Sequence, residues 1–530
     1  MSSTRSTRAW DLVRIFGLGL SLAPWTFAAS PPSPASDSHS NVCVQSKRLR
    51  NSQEGTRTDQ AEERPDLIIV QAPEMRLDPL SLRFPQGSSL VRLAPSDHAP
   101  RSLTPEFFAA ADPRISFDGA RVLFSGKKTA DSPWQIWEMN VDGSGAQQVT
   151  HCPDDCLKAA YLPRGQIVYT ALCAEAAGRA SMVAVRHLVP PLAHSGASMG
   201  EASQLWVSKT DGSDAHPITF GPGDFQVETV LKNGMILATA RSPLLPSNGE
   251  PADRELYTLR PDGTGLATLR CDHQHPAIRR QAQELDDGAV VFVKATLTSR
   301  SLGGDLAWIR RGALHNAPLT APPILASSPQ PITADELLVA RESSGSLTGK
   351  KLTLYSFDAA MGKFVTSLYD DPKLSTVEAV PVAAHEPPRW YWSTLTPELA
   401  RGYFVCLDGY LAEGVPHGRI AMKLTRVRVL TRDATTRRET LLGEAPIEED
   451  GSFYIAVPPD KPVRFEVLDG AGRVVRVQRS WIWSRSGEEH GCVGCHEDRA
   501  VAPENRWPLA LRRFDMPIRL DMADHSVSAH

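Results

Sequence analysis

An Asp-Gly or Asn-Gly dipeptide returns throughout the middle of the chain between short apolar runs, and this recurrence constrains the fold more than any other feature. The first unit reads Ile115-Ser116-Phe117-Asp118-Gly119, then Ala120 to Phe124, then Ile136 to Val141, Asp142-Gly143 and Val149-Thr150. The pattern returns around Arg164-Gly165 and Asp211-Gly212, around Asn233-Gly234 and Asp262-Gly263, and around Asp287-Gly288. A weaker copy spans Ala334 to Tyr369. Asp-Gly and Asn-Gly supply the positive φ that tight hairpins need. The flanking runs are β-branched or alternate in polarity, as strands require. A four-stranded unit cannot bury its own face, so repeated units must pack in a row or in a ring. A ring also shields strand edges, which predicts a β-propeller rather than a stacked sandwich. Five units run from about Asp112 to Tyr369. Leu67–Val70 and Ser89–Leu93 are expected to close the ring with the strands after Val377, giving about six blades.

At about 150 residues per domain, 530 residues suggest three or four domains. The 42 prolines favour turns and short strands over long helices. There are 57 Lys and Arg against 61 Asp and Glu, which argues against a dedicated nucleic-acid binder. No run of 18 or more apolar residues is present, so no transmembrane helix is expected in the mature chain. Arg5, Arg8 and Arg14, then the apolar stretch Ile15 to Ala29, read as a secretory signal (residues 1–29) with cleavage near Ala28 or Ala29. An amphipathic helix or an uncleaved anchor is the alternative. Residues 30–64 are rich in Pro, Ser and charge and read as a disordered linker. The propeller is expected over 65–395. Short strands with turns at Asp450-Gly451 and Asp469-Gly470 predict a small β-sandwich over 396–485. Residues 486–530 form a C-terminal segment and tail. The expected class is therefore all-β.

The chemistry sits in that last segment, at Cys492-Val493-Gly494-Cys495-His496. Cys-x-x-Cys-His is the covalent attachment motif of c-type haem. Its two thiols, Cys492 and Cys495, bond the porphyrin vinyl groups, and His496 then lies under the iron as an axial ligand. One covalent haem c is expected. A thioredoxin-like pair would want a neighbouring βαβ unit, and a zinc site would want a second ligand pair. Neither is visible. Candidates for the sixth iron ligand are His385, His417, His490, Met516, Met522, His525 and His530. His417, in a loop of the sandwich, is the one carried forward, and a five-coordinate iron is the alternative. The other six cysteines, at 43, 152, 156, 173, 271 and 406, are enough for three disulfides in an oxidising compartment. Metal sites at His151/Cys152/Cys156 or Cys271/His273/His275 are further options. No Ser-His-Asp motif, P-loop or Rossmann fingerprint presents itself.

The stretch Trp137 to Gly145 resembles the TolB-like, PD40-type propeller repeat. Its combination with Gly443 to Pro458, with Arg479-Ser480-Trp481-Ile482-Trp483 and with Gly491 to Glu497 is similar to the proteins that share the middle and C-terminal domains of the hydrazine synthase alpha subunit. The resemblance covers about residue 66 to Arg513. It implies a propeller followed by a domain with a covalent haem, held by Cys492, Cys495 and His496. That family's alpha subunit carries a further c-type haem, whereas this chain has one Cys-x-x-Cys-His. Three functions are therefore open. The first is a secreted, periplasmic, mono-haem c-type cytochrome-like protein that transfers electrons to a redox partner protein, with the propeller as docking platform. The second is a subunit of a haem redox enzyme, and the third a non-catalytic propeller binding protein.

Overall fold

The computed structural model describes residues 65–73, 84–95, 99–172, 203–241, 253–269, 277–296, 303–310, 317–319, 325–342, 351–412, 415–432, 438–478, 480–494 and 505–521. The expected signal, the linker, Cys43, Cys173, Cys271, His273, His275, Cys495, His496, Met522, His525 and His530 lie outside them. Among the described residues regular structure is β, with two single-turn 3₁₀ segments.

The repeat folds as four-stranded antiparallel units laid out in sequence order. Blade 2 is typical: Ala109–Ile115 is innermost, followed outward by Arg121–Lys127, Gln135–Asn140 and the short Gln147–Gln148. Blades 3 to 6 begin on the inner strands Cys156–Leu162, Phe225–Val230, Ile278–Glu284 and Ala326–Pro331. Blade 1 takes its inner strand, Ser375–Pro381, from the far end of the repeat. That strand pairs antiparallel with Leu67–Ala72, and Ser89–Leu93 and Arg101–Ser102 follow outward. The first and last parts of the repeat thus share one sheet, which ties the ring shut. The six inner strands neighbour one another in a closed cycle, Ser375–Pro381 meeting both Ala109–Ile115 and Ala326–Pro331. This closed cycle makes the molecule a propeller. The core lies between blades, where Ile68, Val70, Phe124 and Val122 pack across one junction and Val291, Val293, Leu337 and Phe357 across another.

Each inner strand carries a register break at the same place. The breaks fall between Ala111 and Arg114, Leu157 and Ala160, Val227 and Thr229, Arg280 and Gln283, and Ser327 and Gln330; in blade 1 the break is opposite Val70/Gln71. Asp112, Lys158, Gln281 and Ser328 take φ between 51° and 55° at four of them. A bulge re-aims the side chain it carries. Here it turns Asp112, Lys158, Glu228, Gln281, Ser328 and Glu378 toward the axis, around a cavity of about 40 Å³. That is room for roughly three water molecules.

The bulges also free backbone N–H groups that buried packing cannot leave unpaired. The neighbouring blade accepts them. Glu378 accepts from the N–H of Asp112 (3.0 Å), Ser125 from Lys158 (3.0 Å) and Thr170 from Val227 (2.9 Å). Glu228 accepts from Ala282 (3.1 Å) and Gln281 from Ser328 (3.0 Å); the sixth junction is crossed by Ser375 accepting from the N–H of Leu352 (3.1 Å), at the start of the third strand of blade 6 and not at a bulge. Every blade junction is therefore crossed by a polar bond near the axis.

After Pro381 the chain runs along the blades' hairpin turns. The N–H of His385 bonds the carbonyl of Phe117 and that of Arg389 the carbonyl of Lys232. Arg164 stacks against Trp390 and Trp392, 5.0 and 4.2 Å from the ring centroids. The sandwich follows, two four-stranded sheets around Phe404, Val427, Val429, Ile455 and Val467. It does not stop at residue 485. Glu489–Gly494 and Ile518–Arg519 flank one of its sheets, pairing parallel with Gly402–Asp408 and Phe453–Val457. The segment expected to stand apart after residue 485 is thus built into the sandwich sheet, because its backbone groups find partners on both outer strands.

Burial, and then the nearby Asp112 carboxylate, push the Glu378 carboxyl up to about 8. An acid raised on folding favours the native state below its unfolded pKa and loses that contribution as pH rises through the folded value. Stability should therefore fall between about pH 4.5 and 8. Glu378→Gln keeps the acceptor for Asp112 and should flatten that slope, leaving the variant more stable than the parent at pH 8. Thermal melting of both proteins from pH 5 to 8.5 checks this.

Candidate functional site

Cys492 lies on the strand Glu489–Gly494, at the free flank of its sheet. Successive side chains on a strand alternate faces. The register pairs His490 with Phe404, Cys492 with Cys406 and Gly494 with Asp408, so these share the face toward the sandwich core. Phe404 and Cys406 belong to that core, and half-buried Cys492 packs against it. The His490 ring lies 5.4 Å from the Phe404 ring. At Gly494 a side chain would collide with Leu411 (2.7 Å), so the strand ends pressed against the hairpin from Leu411 to Arg419. His417 stands exposed in the turn of that hairpin, at φ 56°. Arg419 and Arg506 both bond the buried Asp408 carboxylate at the same end, at 2.8 and 3.2 Å.

What holds this strand to the propeller is the blade 4 turn Asp262-Gly263-Thr264-Gly265. Trp483 is 1% exposed, and its indole N–H donates to the carbonyl of Gly263 at 3.1 Å. Its ring meets Phe220 and Phe225 edge-on at 6.0 and 5.6 Å. Arg485 donates to the carbonyl of Asp262, lies over the Phe220 ring and pairs with Asp460 at 2.6 Å. Burial raises the Asp460 carboxyl above its ordinary range, against the opposing pull of Arg485. Glu488 accepts from the N–H groups of Gly265 and Arg485, both at 2.8 Å. Glu488 directly precedes the strand of Cys492, so three residues separate a propeller contact from the motif's first thiol. Gly263 is at φ 83°, and a Cβ there would strike the carbonyl of Ile218 and the Arg485 guanidinium.

These placements sort the sequence candidates. Cys492, His490 and the His417 hairpin come together at one end of the sandwich. His385 is exposed against Phe117 in the connector, and Met516 is half-buried in the C-terminal stretch. Cys152 and Cys156 remain a local pair on blades 2 and 3. Among the described residues no three His, Cys, Asp or Glu side chains gather as metal ligands, so His151/Cys152/Cys156 do not form a metal site. The sequence reading missed the anchoring role of Trp483, Arg485 and Glu488, although Trp481-Ile482-Trp483 signalled an apolar contact. It also missed Cys406 as the register partner of Cys492.

The donor set fits covalent haem. A half-buried thiol at a sheet flank, beside Phe404, His490 and Tyr410, offers an apolar bed for a porphyrin edge. Cys492 would hold it through a thioether, with Cys495 and His496 supplying the second link and the axial nitrogen.

The fold and this end of the sandwich define a propeller protein with a β-sandwich whose strand Glu489–Gly494 opens a Cys-x-x-Cys-His sequence. The relatives are specific. Residues 415–497, from the hairpin of His417 through the motif, match the family model of the hydrazine synthase alpha subunit middle domain. The chain is 22% identical to the hydrazine synthase subunit alpha of Kuenenia stuttgartiensis, covering 78% of this chain and 63% of that protein. It thus spans less than two thirds of that relative's length. The solved hydrazine synthase structure from the same organism superposes with a TM-score of 0.70 at 18% identity, over 85% of this chain and 71% of that one. TolB from Acinetobacter baumannii superposes with a TM-score of 0.41 at 11% identity, over 60% of this chain and 67% of that one. Over these spans the chain is similar to the hydrazine synthase alpha subunit.

Trp483→Ala should cost about 3–5 kcal/mol, the usual range for a buried aromatic truncated to Ala. It should also release the sandwich, exposing the connector near residues 386–400 to limited proteolysis at temperatures where the parent is resistant. Scanning calorimetry and a trypsin time course check both.

Proposed function

We propose that this protein is an exported haem-bearing subunit of a redox assembly, with one haem c bound through Cys492, Cys495 and His496. The observation that carries the reading is the position of the motif. It opens on a strand pinned to the propeller by Trp483, Arg485 and Glu488, inside the stretch that matches the hydrazine synthase alpha subunit family model. A haem in that place supplies a one-electron centre when bound. The chain's own residues do the rest. Cys492 fixes one porphyrin edge, and Phe404 and His490 exclude water from its flank. Arg419 and Arg506, paired with Asp408, place positive charge at the end of the strand, where it favours the acidic groups of a porphyrin. The propeller would serve as the platform that receives a partner subunit or redox protein. The leader Arg5 to Ala29 supports export, because attachment of this kind of haem follows translocation.

A second reading, a stand-alone electron carrier, is favoured by the hairpin of His417. That hairpin abuts Gly494 and brings an exposed imidazole to the motif's end of the sandwich. His417 as sixth ligand would saturate the iron, which suits electron transfer rather than ligand chemistry.

A reduced pyridine haemochrome spectrum of the protein, exported from a host with cytochrome maturation genes, tests the reading. The expected result is a c-type band at one haem per chain, lost in Cys492→Ser and in Cys495→Ser. Absence of covalent haem would remove the redox reading. Carbon monoxide separates the two roles. A five-coordinate iron shifts its Soret band on exposure to the gas; one capped by His417 stays indifferent until His417→Ala opens it.

A further inference from the structure

The repeat contains its own control experiment. At the start of blades 3 and 4 the incoming loop is built on the same clamp. In the first case Thr150 donates to Gln135 (2.9 Å), and Gln135 donates to the carbonyl of Cys152 (3.0 Å). In the second, Thr219 donates to Gln204 (2.7 Å), and Gln204 donates to the carbonyl of Gly221 (2.8 Å). Thr150 accepts from the N–H of Ile136 as Thr219 does from Leu205, both at 2.9 Å. Cys152 therefore corresponds to Gly221, and Cys156 to Phe225. The scaffold forms without either thiol. At the blade 4 loop the two positions serve the sandwich, since Trp483 packs on Gly221 and Phe225. At the blade 3 loop no aromatic side chain docks in that way among the described residues, and two thiols occupy the same places.

We propose that Cys152 and Cys156 are a covalent modification site, forming a disulfide within this loop that is made and broken by exchange with thiol–disulfide partners. The two residues pack into one apolar cluster, Cys152 lying against the core that holds Cys156. The pair is asymmetric. Cys152 is half-buried between exposed His151 and exposed Pro153, whereas Cys156 is fully buried in the core with Ile136, Ile167 and Tyr169. The contact from Cys156 also holds the Cys152 thiol below its ordinary range, against burial and the Asp154 carboxylate. A partly exposed thiol beside a shielded partner is the arrangement that exchange requires. The loop is clamped at the carbonyls of Cys152 and Asp154 by Gln135, and at the N–H of Cys156 by the carbonyl of Trp134. The backbone that carries both cysteines is thus fixed at each end of the loop.

The step balances with an external disulfide, RSSR. The Cys152 thiolate attacks one sulfur of RSSR; the S–S bond breaks and RS⁻ leaves with the Cys152 proton. The Cys156 sulfur then attacks Cys152, forming the intra-loop bond, and the second RS⁻ leaves with the Cys156 proton. Two thiols are oxidised and one disulfide is reduced to two RSH. A dithiol reverses both steps.

The test uses the full chain, incubated with oxidised glutathione, then denatured and alkylated without reductant. Peptide mapping is expected to find the fragment containing 152–156 lighter by two hydrogens and free of alkyl label. After dithiothreitol both cysteines should take label. Cys152→Ser should abolish the two-hydrogen deficit while leaving the melting curve and far-ultraviolet spectrum in place, since Cys152 lies in a loop whose clamp uses only its backbone. Label on both cysteines of the glutathione-treated parent overturns the proposal. So does a lasting glutathione adduct on Cys152, or a bond from either residue to a different cysteine. The Cys152→Ser melting curve separates these outcomes from misfolding.

Discussion

The turn Asp262-Gly263-Thr264-Gly265 in blade 4 is the contact on which the rest of the arrangement depends. It receives the Trp483 indole N–H, the Arg485 guanidinium and the Glu488 carboxylate, and its Asp262 side chain also accepts from Ser393 and Thr394 of the connector. A glycine with a left-handed backbone lets Ile218 and Arg485 approach where any side chain would intrude. Trp483 gives the contact its apolar area, and the polar groups fix its orientation because each is buried with a partner. The strand carrying Cys492 begins one residue after Glu488. The position of the motif is therefore set by a propeller turn, not by the sandwich alone.

The propeller in turn depends on a conflict resolved at its axis. Bulged inner strands let six chains converge without steric overlap, but they release backbone donors into a buried space. The side chains that answer those donors, Glu378, Ser125, Thr170, Glu228 and Gln281, come each time from an adjacent blade. Polar groups there specify which blade meets which, while the apolar clusters farther out supply the bulk of the burial. The same division explains why the loop entering blade 3 can hold two thiols and the loop entering blade 4 a docking surface. The Gln–Thr clamp fixes the backbone and leaves the side chains at these loop positions free to differ.

Much of this was legible in the sequence, for physical reasons. Asp118-Gly119, Asp142-Gly143 and Asn233-Gly234 demand positive φ, and the strands between them must hide a face, so the propeller follows from local chemistry. Leu67–Val70 and Ser89–Leu93 read as ring-closing strands because they are strand-like runs that precede the five repeat units. The strand Glu489–Gly494 was not legible. It is polar, carries two glycines and owes its structure to parallel pairing with Gly402–Asp408, some ninety residues earlier. Periodicity reports burial and is silent on such distant pairing. The axial ring was hidden for a similar reason: Lys158, Gln281 and Ser328 look like surface residues until the bulge turns them inward. The motif Cys492 to His496 could be read as chemistry, while its attachment to blade 4 needed three-dimensional information.

The central claim is that haem sits at the end of the sandwich strand that blade 4 holds in place. Anomalous scattering at the iron edge, from crystals of the full chain matured with haem, tests it most directly. The account predicts a single iron peak beyond Gly494, next to the hairpin from Leu411 to Arg419, with continuous density from Cys492 to the porphyrin. An iron peak on the propeller axis, or a haem-matured chain with no iron at the sandwich, would contradict it.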